Sequence, residues 1–235
     1  MNNISPIVKD LISKKLREEN EENRAKHVKS GKLSAGQLGN PVQWQILSAL
    51  KVEGKEIDEY TLGKFKRGTE VEDFITKTLE DDIYATQVEC NYRDCVGFLD
   101  IELYGDRWGV PYLPVEVKSV TNMAFKWKLK EAQATRGHKL QAGLYAMALN
   151  MPKFSVLYVA SDDYRPLHLI YDTADVKDEI DMVIDLFNAT MESKTIPVFS
   201  AIEKWQEKEM YNNYPTYMKK SEAQLKIIAK KLFSY

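Results

Sequence analysis

The residues best suited to chemistry lie within positions 97–120, in the run GFLDIELYGDRWGVPYLPVEVKSV. Because side chains alternate along a β-strand, Glu116 and Lys118 would share one face and their valine neighbours the other. Asp100 falls in the preceding apolar run, on a partner strand. Two carboxylates held close together repel each other and lose hydration, and a divalent cation such as Mg²⁺ removes that cost. The segment therefore predicts a metal site, with the Lys118 ammonium placed to hold a water or stabilise charge on a phosphorus centre.

An ordinary surface arrangement explains the same three residues. Glu116 and Lys118 would then form a solvated ion pair across one face of the strand, and Asp100 would be a loop carboxylate. An Asp followed at some distance by Glu-x-Lys arises by chance in many proteins. The triplet alone does not decide between the two interpretations.

A polar stripe on a later helix favours the catalytic interpretation. Gln141 and Tyr145 lie four residues apart and so share a helix face, which His138 joins three residues before Gln141. With Arg136 just ahead of it, this stripe suits contact with a phosphate backbone. Taken alone, Tyr145 fits a core aromatic residue with a satisfied hydroxyl better than it fits a site residue.

Glu72 is a third acidic candidate. It lies early in a predicted helix, three residues before the core-facing Ile75, where an acid is unusual unless it is paired or ligates something. The alternative is a first-turn acid that complements the helix dipole, which fits Glu70 better than Glu72.

A basic and aromatic segment, 125–136, follows the strand that carries Lys118. Its lysines alternate with Phe125 and Trp127, a pattern that suits backbone tracking combined with base stacking on single strands or frayed ends. An edge strand protected by lysines explains the alternation equally well. The predicted nucleic-acid contacts are Lys126, Trp127, Lys128, Lys130, Arg136 and His138.

These side chains must be positioned by a predicted α/β fold. Apolar spacing predicts helices before residue 83, a mixed central sheet and further helices packed on it. The predicted strands are 83–89, 95–104, 112–120, 154–160 and 167–171, and the predicted helices include 68–80, 133–149, 174–191 and 221–232. Gly105, Asp106 and Gly109 indicate a turn that joins the second and third strands as an antiparallel hairpin. Asp172 and Thr173 are predicted to cap the helix 174–191, and Ser221 with Gln224 forms a capping-box pattern at the last helix. A charged run, 17–32, precedes these elements. We expect one domain over 1–235, with a helical N-terminal extension (1–60), a catalytic core (61–195) and a helical C-terminal extension (196–235).

Composition excludes several classes of protein. The chain has 235 residues, 33 Lys and Arg against 35 Asp and Glu, a net charge of −2, and 44% hydrophobic residues. These values are typical of a soluble globular protein and exclude a wholly basic nucleic-acid coat. Charged residues interrupt the N-terminus, and about 18 consecutive apolar residues are not found, so we expect neither a signal peptide nor a membrane span. Two cysteines, Cys90 and Cys95, are too few for a disulfide framework and indicate a reducing cytoplasm.

In this order, the motifs resemble those of the PD-(D/E)XK nucleases, most closely the RecB-type and lambda-exonuclease-type branch. The motifs are Gly-x-x-x-Glu ending at Glu72, Gly-Phe-Leu-Asp ending at Asp100, Glu-x-Lys at Glu116, and Gln-x-x-x-Tyr at Gln141. The segment LSAGQL at 33–38 is also similar to the opening of many RecB-like nuclease domains. The resemblance spans about residues 34–191 and implies a restriction-endonuclease-like core.

The resemblance also implies a role for each motif residue. Asp100, Glu116, the backbone carbonyl of Val117, and Glu72 correspond to the metal-binding groups, for Mg²⁺ or Mn²⁺. Lys118 corresponds to the catalytic lysine. Gln141 and Tyr145 correspond to residues that organise the active site and contact DNA.

The resemblance implies a metal-dependent DNA exonuclease that acts at DNA ends in recombination, repair, or phage and mobile-element DNA processing. A structure-specific or restriction-like endonuclease and a non-catalytic nucleic-acid-binding module remain alternatives. Some relatives carry an iron–sulfur cluster on four cysteines, but no cysteine follows Cys95 here, so we expect no cluster and buried thiols instead. No Gly-x-x-x-x-Gly-Lys-Ser/Thr loop occurs, so we expect no nucleotide cofactor. The expected partner is DNA, and a homo-oligomer or a recombination partner protein is compatible with the sequence.

Overall fold

The computed structural model describes residues 6–26 and 31–234, and the side chains of 8–22 and 31–234. The predicted N-terminal charged run, 17–32, therefore lies partly outside the described residues. The helices within these ranges are α1 (Pro6–Lys26), α2 (Val42–Ala49), α3 (Glu59–Thr78), α4 (Asn122–Glu131), α5 (Arg136–Ala148), α6 (Ala174–Glu192), α7 (Lys204–Asn213), α8 (Pro215–Met218) and α9 (Glu222–Leu232). The strands are β1 (Ile83–Tyr92), β2 (Cys95–Tyr104), β3 (Tyr112–Val120), β4 (Lys153–Ala160) and β5 (Pro166–Asp172).

The five strands form one mixed sheet in the order β1-β2-β3-β4-β5. Neighbouring strands are antiparallel except β3 and β4, which are parallel and are joined through α4 and α5. The turn between β2 and β3 includes Gly109, whose φ of 69° lies in the left-handed region that glycine adopts without strain. The predicted hairpin and the predicted mixed sheet flanked by helices are both confirmed.

Helices cover both faces of the sheet. On one face, α5 packs against β1, β3, β4 and α6, and buries Leu140 and Leu144 as its helical spacing predicts. Gly143 lets α6 approach closely, because a Cβ there would lie 2.5 Å from a methyl carbon of Val176. On the other face, α3 buries Val71 and Ile75 in a second apolar cluster with residues of β2 and β3. The chemistry-bearing residues of β2 and β3 thus lie between two helical layers.

Two helix boundaries differ from the sequence prediction. Helix α3 begins at Glu59, about nine residues before the predicted start, because Asp58 caps it by accepting a 2.8 Å hydrogen bond from the Thr61 amide. Helix α5 begins at Arg136, three residues after the predicted start, because Ala132 ends the preceding helix in a left-handed conformation. Gly63 and Gly68 lie within α3 and are tolerated there.

The segment 125–136 is not an edge strand. Residues up to Glu131 form helix α4, whose cap Thr121 accepts from the Ala124 amide at 3.4 Å. In a helix, residues two apart point to different faces, whereas Lys126 and Lys130, which lie four apart, share one face. The alternative of a lysine-protected edge strand is therefore wrong.

Helix ends elsewhere give a mixed result. The Ser221 and Gln224 capping box of α9 is confirmed, with reciprocal side-chain bonds to the backbone. Thr173 is the cap position of α6, but its hydroxyl donates to the Met151 carbonyl at 2.7 Å and caps no amide. Thr173 therefore occupies the predicted cap position of α6, but its side chain does not cap the helix.

The C-terminal extension holds the loop that supports α5. Gln206 of α7 is fully buried and donates a 2.8 Å hydrogen bond to the Gly39 carbonyl. Gly39 in turn contacts the first turn of α5, since a Cβ on it would lie 2.5 Å from the Gly137 Cα. The helix carrying the predicted polar stripe is thus fixed at its N-terminal end by residues distant in sequence.

No helix in the described ranges combines the length and apolar character needed to cross a membrane. The buried positions of Cys90 and Cys95 agree with the expected apolar thiols, and burial raises the pKa of each to about 12.

Candidate active site

The candidate site lies where β2 and β3 separate. The last paired residues are Ile101 and Val115. Asp100 and Glu116, the next residue on each strand, are no longer paired. Beyond that point the Asp100 carboxylate accepts a 2.7 Å hydrogen bond from the Val117 amide. An acid side chain therefore satisfies a backbone donor at the point where the ladder stops. This contact fixes one carboxylate against the backbone of the strand that carries the other.

Glu116 and Lys118 share a face of β3, as their spacing predicts, and form a direct ion pair. The Glu116 side chain is only 2% exposed and the Lys118 side chain 25% exposed, so the predicted alternative of a solvated pair does not describe them. Oε1 of Glu116 accepts from the Lys118 ammonium, whereas Oε2 is buried without a partner among the described residues. A buried carboxylate oxygen with a free lone pair is available to a ligand.

Electrostatics at the site favour cation binding. Burial raises the pKa of Glu116 to about 8, and the nearby Lys118 ammonium opposes this only in part. Burial likewise raises the pKa of Asp100, against the opposing effects of Lys118 and the Val117 amide. Burial lowers the pKa of Lys118, but the Glu116 and Asp100 carboxylates outweigh it and the net shift is upward. The Lys118 ammonium alone therefore does not stabilise both carboxylates in their ionised form, and a bound cation would.

Glu72 reaches the same region from α3. Burial, followed by the nearby Asp100 carboxylate, raises the pKa of Glu72 to about 7. Its carboxylate also accepts a 2.5 Å hydrogen bond from Gln87 of β1, a residue held at a φ of 51°. Gln87 is not among the predicted site residues, and its only signal in the sequence is a polar residue within an otherwise plausible strand. Glu72 is thus partly committed to a neighbouring side chain.

The donor set matches a partly hydrated cation better than an all-protein cage. Within 6–26 and 31–234, no three His, Cys, Asp or Glu side chains converge as a metal-binding group. Asp100 and Glu116 could still hold Mg²⁺ or Mn²⁺ together with the Val117 carbonyl. Mg²⁺ commonly uses one or two carboxylates and completes its shell with waters and substrate phosphates. The unpartnered Oε2 of Glu116 is the observation in this structure that fits such an ion.

The polar stripe of α5 faces this region. Gln141 donates a 3.1 Å hydrogen bond to the Tyr145 hydroxyl. Tyr145 is 2% exposed, and burial together with the Glu116 charge raises the pKa of its phenol. Tyr145 is therefore a core aromatic residue with a satisfied hydroxyl, as the predicted alternative has it. It also lies near the Glu116 and Asp100 carboxylates. The pair links the core packing of α5 to the carboxylate site.

His138 lies one turn earlier and bonds to Tyr158, which is not among the predicted site residues. Its Nδ1 is 2.9 Å from the hydroxyl of Tyr158, which also accepts from the Thr135 amide at 3.0 Å. Tyr158 lies on β4 directly beside Lys118 in the strand register. Burial and the ammonium groups of Lys118 and Lys128 lower the pKa of His138 to about 3, so its imidazole is neutral.

The predicted nucleic-acid contacts are not equally available. Lys126, Trp127 and Lys130 are exposed on α4, with the Lys130 ammonium 5.6 Å from the centre of the Trp127 ring. Lys128 is mostly covered and pairs with Glu131 at 2.9 Å. Arg136 pairs with Glu179 at 2.5 Å and also donates to the Gly39 carbonyl at 3.2 Å. The structure therefore leaves the first three free to meet a ligand and commits Arg136 to support of α5.

An apolar cavity of about 390 Å³ lies apart from these residues. Its walls include Phe74, Trp108 and His168, and the His168 ring meets the Trp108 ring edge-on at 5.9 Å between centres. None of the carboxylates of the candidate site lines this cavity.

Gly97, in the Gly-Phe-Leu-Asp motif, gives a first prediction. A Cβ at this position would lie 2.7 Å from the Ala35 Cβ and 2.8 Å from the ring and hydroxyl of Tyr145. We expect Gly97→Ala to reduce the free energy of unfolding by about 1–3 kcal/mol, because neighbouring groups must move apart. Denaturant unfolding measures the change. Gly36→Ala is the matched control, since a Cβ there meets nothing within 4 Å, and equal effects of both substitutions would contradict the packing argument.

The acidic site also predicts that the metal-free protein becomes less stable as the pH rises from about 6.5 to about 8. The folded protein retains protons on Glu116 to about pH 8 and on Glu72 to about pH 7, whereas the unfolded chain releases them near the ordinary value of 4.5. Folding therefore takes up protons in this window, and the free energy of unfolding falls with rising pH. Below about 6.5, His138 and His168 oppose the trend, because burial lowers their pKa values in the folded state.

Thermal unfolding in EDTA at several pH values tests this dependence. Each released proton corresponds to a slope of at most about 1.4 kcal/mol per pH unit. Glu116→Gln should flatten the curve between pH 6.5 and 8, since the amide does not titrate. A melting temperature that rises through this window in the unsubstituted protein would show that the carboxyls are not protonated in the fold.

No protein-family model matches the chain, and no curated protein matches it in sequence. Among solved structures it is similar to the alkaline exonuclease LHK-Exo from Laribacter hongkongensis, with a TM-score of 0.51 at 13% identity over 70% of this chain and 92% of that chain. The complex of LHK-Exo with dAMP gives a TM-score of 0.51 and 13% identity over 69% and 91%. SSO0001 gives 0.51 and 16% over 86% and 92%. At these identities the similarity shows the fold, an α/β restriction-endonuclease-like nuclease fold.

Proposed function

We propose that this protein is a metal-dependent deoxyribonuclease of the PD-(D/E)XK type, in its RecB-type or lambda-exonuclease-type branch. The observation that carries the proposal is the buried pair of acids, Asp100 and Glu116, beside Lys118 at the fork between β2 and β3. Among the described residues, one buried oxygen of Glu116 has no partner, which is costly for the fold unless a ligand uses it. An arrangement that weakens the fold is expected where it serves binding or catalysis.

The fold adds support of a coarser kind. A protein named as an exonuclease shares it, and the ordered motifs of the chain fall on the elements that build the site. Fold alone hosts many activities, so the proposal depends on the site residues.

The reaction we propose is hydrolysis of a phosphodiester by in-line attack of water. Asp100, Glu116 and the Val117 carbonyl would hold Mg²⁺ or Mn²⁺, which when bound supplies Lewis-acid stabilisation of the phosphate oxygens. Lys118 keeps its proton, because the neighbouring carboxylates raise its pKa. Its ammonium can therefore orient the attacking water or stabilise negative charge that develops on the phosphate. Gln141 would help to hold the buried Tyr145 ring beside these acids through their shared hydrogen bond.

Nucleic acid would enter along α4. This helix follows β3 directly and exposes Lys126, Lys130 and the Trp127 ring. Lysine ammonium groups bind phosphates, and an exposed indole stacks on a base of any sequence, which suits single strands or frayed ends. We propose these three residues as the entry surface, in the service of end processing during recombination, repair or mobile-element DNA metabolism.

Digestion of matched DNA substrates tests the proposal. With Mg²⁺ or Mn²⁺, the protein should release nucleotides from linear DNA and leave covalently closed circular DNA of the same sequence intact. Cutting of the closed circle would favour the structure-specific or restriction-like endonuclease. Binding of linear DNA without release of nucleotides under either metal would favour a non-catalytic binding module.

The entry surface has its own test. Lys126→Ala combined with Lys130→Ala should weaken DNA binding and reduce the salt dependence of the dissociation constant, because two phosphate contacts are lost. The expected loss at low salt is about ten-fold, consistent with two screened charge contacts. Titration of labelled DNA at several salt concentrations measures it, with Lys226→Ala, an exposed lysine of α9, as the control. Equal salt slopes for the two variants would exclude α4 as the surface.

A further inference from the structure

His138 has a hydrogen-bonding state that its partners determine. The Tyr158 hydroxyl carries one proton and accepts from the Thr135 amide at 3.0 Å, and its other contact, at 2.9 Å, is Nδ1 of His138. The hydroxyl proton has no other acceptor among the described residues, so it must point to Nδ1 to be satisfied in a fully buried position. In the neutral ring, the imidazole proton then resides on Nε2.

The surroundings of His138 favour this neutral form. Lys118 of β3 and Lys128 of α4 both place ammonium groups near it, and Tyr158 of β4 contacts it directly. A third positive charge would be repelled by both lysines. The ring therefore offers an Nε2–H donor without adding charge, and Nε2 has no hydrogen-bond partner among the described residues.

We propose that His138 is a neutral hydrogen-bond donor to a phosphate oxygen of the bound nucleic acid, and that Tyr158 is the positioning residue that fixes its tautomer. This inference rests on the proposed nuclease function. It assigns separate tasks to two neighbouring groups of one site. Lys118 contributes charge, whereas His138 contributes direction, since a single N–H of fixed orientation selects one placement of the phosphate. Tyr158 acts only through the imidazole and contacts no substrate.

Nitrogen-15 NMR of the histidine-labelled protein tests the tautomer directly. The chain has three histidines, and the resonances of His138 are identified as those lost in His138→Gln. We expect protonated Nε2 and unprotonated Nδ1, unchanged between about pH 5 and 8. Tyr158→Phe should produce a mixture of the two tautomers. A protonated Nδ1 in the unsubstituted protein, or a tautomer unaffected by Tyr158→Phe, would overturn the positioning role.

Kinetics on linear DNA test the donor role. Glutamine retains an uncharged N–H donor, so His138→Gln should keep kcat/KM within about five-fold of the unsubstituted protein, whereas His138→Leu should lower it about 10- to 100-fold, the range for a hydrogen bond to a charged group. His168→Leu, beside Trp108 at the apolar cavity, is the matched control and should leave the rate unchanged. Equal rates for His138→Leu and an active unsubstituted protein would overturn this inference alone. An inactive unsubstituted protein would overturn the proposed function itself, while the NMR result would still decide the tautomer.

Discussion

Glu116→Gln is expected to lower the rate of metal-dependent DNA hydrolysis by about 100- to 1,000-fold, the scale on which removal of one preorganised electrostatic group acts in other enzymes. Glutamine has nearly the shape of glutamate, so the substitution leaves the packing of β3 intact. It removes the charge on an oxygen that is buried and unpartnered in the structure. Loss of activity would therefore report lost cation binding, and the concentration of Mn²⁺ needed for half-maximal rate should rise as well.

Release of acid-soluble nucleotides from linear DNA, measured across a titration of Mg²⁺ and Mn²⁺, gives both quantities. Lys226→Met provides a matched control, because Lys226 forms an exposed i,i+4 pair with Glu222 on α9. Retention of full activity in Glu116→Gln would mean that hydrolysis, if present, occurs elsewhere on the protein.

The second large effect concerns stability. Replacing one member of a buried ion pair commonly costs about 3–5 kcal/mol, whereas replacing both by apolar residues of similar size is often neutral or stabilising. We therefore expect Lys118→Met to be less stable than the unsubstituted protein, because Glu116 stays buried without the ammonium from which its Oε1 accepts. The double substitution Glu116→Leu with Lys118→Met should recover this loss and have no hydrolytic activity.

Urea unfolding at pH 8.5 in EDTA compares the three proteins. Because apolar residues need no counter-ion, the double variant should match or exceed the unsubstituted protein. A double variant that is less stable than Lys118→Met would show that the pair itself holds β3 in place. The charged pair would then stabilise the fold, and our prediction that it serves activity at the expense of stability would be wrong.

The sequence contains enough information to predict the layers of this fold. Periods of two and 3.6 residues place the strands and helices α5 and α6 correctly, because Leu140, Leu144 and Ile180 must all be buried on one side. The alternating lysines after β3 fit an edge strand and a nucleic-acid-binding segment equally well, whereas the structure places 122–131 in helix α4, which Thr121 caps. The Asp58 cap starts α3 at Glu59, about nine residues before the predicted start.

For the candidate site too, some contacts can be predicted from the sequence and others cannot. The strand period places Glu116 and Lys118 on one face, and the hairpin brings Asp100 close, so sequence reasoning anticipates these contacts. It does not anticipate that Glu72 bonds to Gln87 or that His138 bonds to Tyr158, because 15 and 20 residues separate these partners on different elements. Such contacts depend on how helices settle on the sheet, which no local pattern encodes.

The contact between Asp100 and the Val117 amide bears on the choice of an inactive variant for trapping substrate. One oxygen of Asp100 accepts a hydrogen bond from the Val117 amide where the two strands separate. An alanine at this position would remove that hydrogen bond together with a proposed metal ligand. In crystals or binding curves obtained with such a variant, a changed sheet structure could not be separated from the loss of catalytic activity. Glu116→Gln avoids this ambiguity, and a complex made with it would report the geometry of the working protein.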